Sequence, residues 1–120
     1  MAPQQPNRFF EIEQVGEVKV VRFSPDLILS GQKAEAVGEQ LQALVNAPGQ
    51  NRLLLDFANV RSVSSLVLGK LVELTKNADL AGGRVALCNL RPDIREILEI
   101  TRLNRILRLY REEQEALQSF

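Results

Sequence analysis

Histidine does not occur in this chain of 120 residues and cysteine occurs once, which removes the usual ligands of structural zinc and the usual base of a serine or cysteine nucleophile. Fifteen basic and fifteen acidic side chains cancel to a formal charge of zero, so no overall field draws the chain to phosphate backbones or anionic lipid. With 45% hydrophobic and 25% charged residues, the makeup is that of one soluble domain on one core, with no metal, cofactor, nucleic acid or membrane expected as a partner.

Residues 1–7 (MAPQQPN) hold two prolines and two glutamines and read as a flexible tail, leaving 8–120 as the domain. FFEIEQ and EVKVVRF, joined at Val15 and Gly16, alternate as a β-hairpin, and Ser24, Pro25 and Asp26 break the pattern. LILSGQKAEAVGEQLQALVNA then reads as a first helix, with Val37, Leu41, Leu44 and Val45 on one face and Gln32, Glu35, Glu39 and Gln42 towards water; Pro48 and Gly49 end it. RLLLDF, with Leu53, Leu54 and Leu55 in succession, predicts a central strand covered by helices on both faces. Ser62, Ser64 and Ser65 then crowd what reads as a loop.

From Ser65 onward Val67, Leu71, Leu74 and Ala78 mark a second amphipathic helix, closed by Gly82 and Gly83. RVALCNL is another strand, with Cys88 buried in it or at its end. Pro92 and Asp93 open a third helix with Ile94, Ile97 and Leu98 as its core face. RILRLY reads as a short edge strand and REEQEALQSF as a last short helix. This order predicts an α/β fold: a single small domain with a mixed four- or five-stranded sheet packed against helices.

Few motifs carry chemistry. Gly82 and Gly83 follow a helix instead of preceding one, so they stop it and do not cradle a phosphate. Glu11 with Glu13, and Glu112 with Glu113, do not converge as an acid and a base, and no enzymatic activity is expected. Arg91, Arg95, Arg102, Arg105, Arg108 and Arg111 gather in the last third, but Asp93, Glu96, Glu99 and Glu112 lie among them, and pairing at i, i+3 or i+4 on a solvated face accounts for the cluster. Phe9, Phe10 and Phe120 offer an apolar edge that could pair with a second copy. MAPQQPNRFF lacks the basic start and apolar run of a signal peptide, no stretch reaches the roughly 20 apolar residues of a membrane span, and the lone cysteine suits a reducing compartment, so a cytoplasmic location is expected.

The serines are the exception. Ser64 or Ser65 is placed to cap the second helix, its hydroxyl accepting a bond from a free amide for about 1 kcal/mol. One cap needs one hydroxyl, and the surplus calls for another role.

LLLDFANVRSVSSLVLGKL, followed by AGGRVALCNLRPDIREILEITRLNRIL, resembles the STAS domain of bacterial anti-sigma factor antagonists. The resemblance implies a non-enzymatic binding module that sequesters an anti-sigma factor, a serine kinase of the histidine-kinase-like ATPase type, and releases it on serine phosphorylation. Without a gap, Ser65 takes the phosphorylated position; a one-residue gap makes Ser64 the acceptor. Ser62, Ser64, Ser65, Leu66 and Lys70 are the implied partner-binding residues. Ser64 stands where the family carries aspartate, Leu66 where it carries a small residue and Val67 where it carries glycine. These departures leave open an alternative: a STAS adaptor without a switch, bound to a transporter ATPase or a signalling scaffold.

Overall fold

The opening alternation folds as an antiparallel hairpin, β1 (Phe10–Val15) on β2 (Val18–Phe23), with Val15 opposite Val18. Gly16 takes the left-handed conformation (φ 60°) that the tight turn requires. A computed structural model describes residues 9–49 and 51–120, and the expected tail over 1–7 lies outside them.

Two short segments depart from the sequence reading. LIL is not the first turn of a helix but a strand, β3 (Leu27–Leu29), with Leu27 and Leu29 buried and Ile28 outward, the period of two that a strand imposes. The helix begins later, as α1 (Gly31–Asn46), after Ser30. The second departure follows β4 (Arg52–Asp56): the segment read as a loop forms β5 (Val60–Val63), which pairs in parallel with β3 so that Ile28 lies beside Ser62 and Leu29 beside Val63.

The remaining elements follow as expected: α2 (Ser65–Leu80), β6 (Arg84–Cys88), α3 (Pro92–Ile100), a short 3-10 turn over Leu103–Arg105, β7 (Arg108–Tyr110) and α4 (Glu113–Gln118). The five-stranded sheet runs β1-β2-β4-β6-β7, with β1 antiparallel and the others parallel, beside the separate β3–β5 ribbon. The mixed sheet expected from the element order is thus present, at the upper strand count.

Alternation along β4 splits the core. Leu53 and Leu55 face the larger cluster, where α1 contributes Val37, Leu41 and Val45, α2 contributes Leu71, Leu74 and Ala78, and α3 contributes Ile94 and Leu98. Ile97, expected with them, is 40% exposed. Leu54 faces the smaller cluster, with Val20, Ala86 and Cys88 beneath Ala116 of α4. Of the aromatic residues expected at an apolar edge, Phe10 is buried edge-to-face on Phe23 at 6.0 Å, whereas Phe9, packed against the larger cluster, and Phe120, packed on the smaller one with the Arg84 guanidinium 5.9 Å from its ring centre, are partly buried.

Candidate functional site at the start of α2

Ribbon and helix meet at Ser64. Its amide donates to the Leu29 carbonyl at 2.9 Å, continuing the β3–β5 pairing, while its own carbonyl accepts from the Val67 and Leu68 amides at 3.1 and 3.3 Å and so starts α2. Ser64 is therefore the N-cap residue in extended conformation. The expected capping bond is absent: the Ser64 hydroxyl is sealed from solvent and meets no partner among the described residues. The backbone alone caps the helix here, and of its first amides only those of Ser65 and Leu66 have no acceptor among the described residues.

Ser65, the first residue of α2, is exposed. The two serines thus sit in different environments, Ser64 with its hydroxyl sealed and Ser65 exposed. Leu66, next to Ser65 in the chain, is 41% exposed, and Ile28, beside Ser62 on the ribbon, is 44% exposed. Ser65, Leu66, Gly69, Lys70 and Glu73 line an open depression of about 530 Å³. Gly69 stands one helical turn after Ser65, on the same face, and a Cβ there would meet nothing within 4 Å. The surface next to Ser65 is therefore bare backbone.

Sequence reasoning missed Ile28 and Gly69. Ile28 carried a signal, the period of two in Leu27, Ile28 and Leu29, hidden by the helix that follows. Lys70, expected among the partner-binding residues, also makes a contact within the fold. Its ammonium pairs with Glu35 at 3.2 Å and its stem lies over Gly38, so it ties α2 to α1 while still lining the depression. Val67 is buried at 6% exposure and points to the core, away from any partner.

At the far end of β4 the polar groups are structural. Asp56 accepts from Arg22 and Asn89 at 3.1 Å each and from the Ala58 amide at 3.0 Å, bracing the strand end that leads to β5. Burial, with the nearby Asp56 and Glu113 carboxylates, pushes the Cys88 thiol up to about 12, so it stays protonated and inert at neutral pH. The arginine cluster is not paired as expected: of the six, only Arg108 forms an ion pair among the described residues, with Asp79 of α2 at 3.1 Å. Among the described residues no cluster of carboxylates and thiols could hold a metal, and no helix is long and apolar enough to cross a membrane.

The STAS domain family model matches residues 9–116. The chain belongs to the STAS domain family. Over 70 residues this STAS domain is 36% identical to a Thermotoga neapolitana protein provisionally named an anti-sigma factor antagonist; the match covers 58% of this chain and 62% of that protein, less than two thirds of its length. Among solved structures, a provisionally named anti-sigma factor antagonist from Thermotoga maritima superposes with a TM-score of 0.82 at 24% identity over 92% of each chain. The anti-sigma factor antagonist SpoIIAA in its unphosphorylated form gives 0.69 at 16% identity, covering 92% of this chain and 94% of that one. The phosphorylated form of the Bacillus SpoIIAA gives 0.68 at 19% identity, covering 92% and 97%. At these identities the superpositions establish the fold of the STAS domain.

Proposed function

We propose that this STAS domain is an anti-sigma factor antagonist that works in the cytoplasm as a binding module and not as an enzyme. It captures an anti-sigma factor, a serine kinase of the histidine-kinase-like ATPase type, while Ser65 is bare, and releases it when Ser65 is phosphorylated. The observation that carries the reading is the exposed Ser65 at the first position of α2, next to the exposed Leu66 and one turn before the bare backbone at Gly69. Ser64, the alternative acceptor, has its hydroxyl sealed from solvent, which favours Ser65. SpoIIAA, a relative of the same fold, has been solved with and without phosphate, which supports a fold that keeps its shape through modification.

The mechanism follows from charge and place. A bare hydroxyl fits inside an interface. Phosphate adds about −1.5 to −2 charge, which the positive end of α2 favours by about 0.3–1 kcal/mol, so the domain stays folded. A partner closing over that dianion without a matching cation meets a desolvation cost of several kcal/mol, and a loss of about 4 kcal/mol weakens binding about a thousandfold.

The test combines modification and affinity. Incubation with the candidate kinases and ATP is expected to place phosphate on Ser65 by mass spectrometry, and Ser65→Asp to abolish binding while Ser65→Ala retains it. Binding that survives Ser65→Asp, with no phosphate on either serine, would leave the adaptor reading, in which a transporter ATPase or a scaffold takes the kinase's place. The buried position of Val67 weighs against that reading, because its bulk does not reach the partner surface.

A further inference from the structure

Two helices of this chain are each followed by a left-handed residue whose amide donates three residues back, but the residues differ. At the end of α2, Gly82 takes the left-handed conformation (φ 80°), its amide donating to Asp79 and that of Gly83 to Ala78 at 2.8 Å, which completes a glycine stop. At the end of α3 the equivalent position is Arg102, with φ 62° and its amide donating to Glu99 at 3.1 Å. Among the described residues the other two non-glycine residues with positive φ are Asp26 and Asn89, of the types that tolerate this conformation. Arginine is not of these types, so the left-handed conformation at Arg102 carries a backbone cost that glycine would not.

Arg102 is exposed and forms no ion pair among the described residues, and the same holds for Arg105. They sit between two exposed isoleucines, Ile100 at 72% and Ile106 at 43%. No acidic residue occurs between Ile100 and Ile106. Unpaired guanidinium groups among exposed apolar side chains match a surface carrying the opposite charge around apolar groups of its own. The site is separate from Ser65: the Arg108–Asp79 pair holds the start of β7 beside the last turn of α2, a helix length of about 20 Å from its first residue.

We propose that the turn closing α3, built on Ile100, Arg102, Arg105 and Ile106, is a second docking surface, which takes a carboxylate-rich, apolar segment of a partner protein. A protein fits better than a membrane. Anionic lipid selects clusters of four to eight basic residues, and the exposed Asp93, Glu96 and Glu99 on α3 would face any continuous negative surface. Nucleic acid is disfavoured by the same carboxylates and by the apolar flanks.

The test selects a displayed library of twelve-residue peptides on the full chain, with the Arg102→Gly/Arg105→Gln double variant as the counter-selecting target. Enrichment of peptides combining Asp or Glu with Leu, Ile or Phe, weakened at least tenfold by the double variant and by 0.5 M salt, is the expected result. Arg102→Gly alone is expected to raise the melting temperature by about 2–4 °C while weakening binding, which separates a functional arginine from a structural one. The proposal is overturned by enriched peptides without acidic residues, by equal binding to the double variant, by a fall in melting temperature for Arg102→Gly, or by arginine-dependent binding to phosphatidylserine vesicles in place of peptides. Loss of Ser65-dependent kinase binding would not touch it, since the two surfaces are read by different variants.

Discussion

Arg22 on β2 and Asp56 on β4 stand in register on neighbouring strands and meet at 3.1 Å, although 34 positions separate them in the chain. The same guanidinium reaches Glu13 on β1 at 2.7 Å and Glu113 on α4 at 2.5 Å, so one side chain joins three strands and a helix. The members are unequal. Asp56 has a side chain only 11% exposed and two further donors to satisfy, whereas Glu13 is 59% exposed and can turn to water. Asp56→Ala is therefore expected to cost about 2–3 kcal/mol and Arg22→Ala about 1 kcal/mol, a difference that urea midpoints would resolve. Equal losses would mean that the ion pairs, and not the buried hydrogen bonds of Asp56, hold this corner.

The unpartnered hydroxyl at Ser64 reverses the usual expectation for a helix cap. Replacing a capping serine by alanine ordinarily costs about 1 kcal/mol. Here no capping bond is lost and a sealed polar group is removed, so Ser64→Ala is expected to leave stability unchanged or raise it by about 0.5 kcal/mol. Thermal unfolding of the single variant decides it, and a loss of 1 kcal/mol or more would show that the hydroxyl caps the helix after all.

Gly69 and Gly83 predict opposite responses to the same change. Gly69 lies inside α2 with open space around it, so Gly69→Ala should stabilise by about 0.5–1 kcal/mol through helix propensity while weakening any partner that packs against the bare backbone beside Ser65. At Gly83 a Cβ would stand 2.2 Å from the Asn51 carbonyl oxygen, a backbone atom that cannot move aside, so Gly83→Ala should cost about 2–4 kcal/mol. Calorimetry on the pair, with binding measured for Gly69→Ala, checks both.

Cys88 sets an alkaline limit. Its folded pKa of about 12 lies above the roughly 8.5 of an unfolded thiol, so its contribution is complete below about pH 8.5 and is lost as pH rises towards 12. Melting temperature is expected to decline across that window and to decline less in Cys88→Ala. At pH 7.5 a thiol reagent should label the wild-type chain only as fast as it opens.

The helices and the sheet were legible because their periods are long or unambiguous: α2 repeats Val67, Leu71, Leu74 and Ala78 over about three turns, and the three leucines of β4 admit only a doubly covered strand. The β3–β5 ribbon was not. Its strands have three and four residues, too few for a period of two to stand out, and each becomes stable only through pairing with the other across the chain. At the candidate site, the position of Ser65 at the helix start could be read from the pattern, but the inward turn of the Ser64 hydroxyl could not, since it depends on the backbone delivered by the ribbon. Pairing of the arginines in the last third of the chain rests on spacing alone, and spacing permits such contacts without enforcing them on exposed side chains.

The smaller face of the sheet has a consequence for how the molecule fluctuates. Six residues of α4 are too few to hold a helix unaided, so it persists through Ala116, Leu117 and the tether from Glu113 to Arg22. Amides of 113–118 should accordingly take up deuterium well ahead of those in α1 and α2, uncovering Leu54, Ala86 and Cys88 in brief excursions while the opposite layer stays shut. The domain has a loose lid on one side and a rigid wall on the other, and Ser65 belongs to the wall.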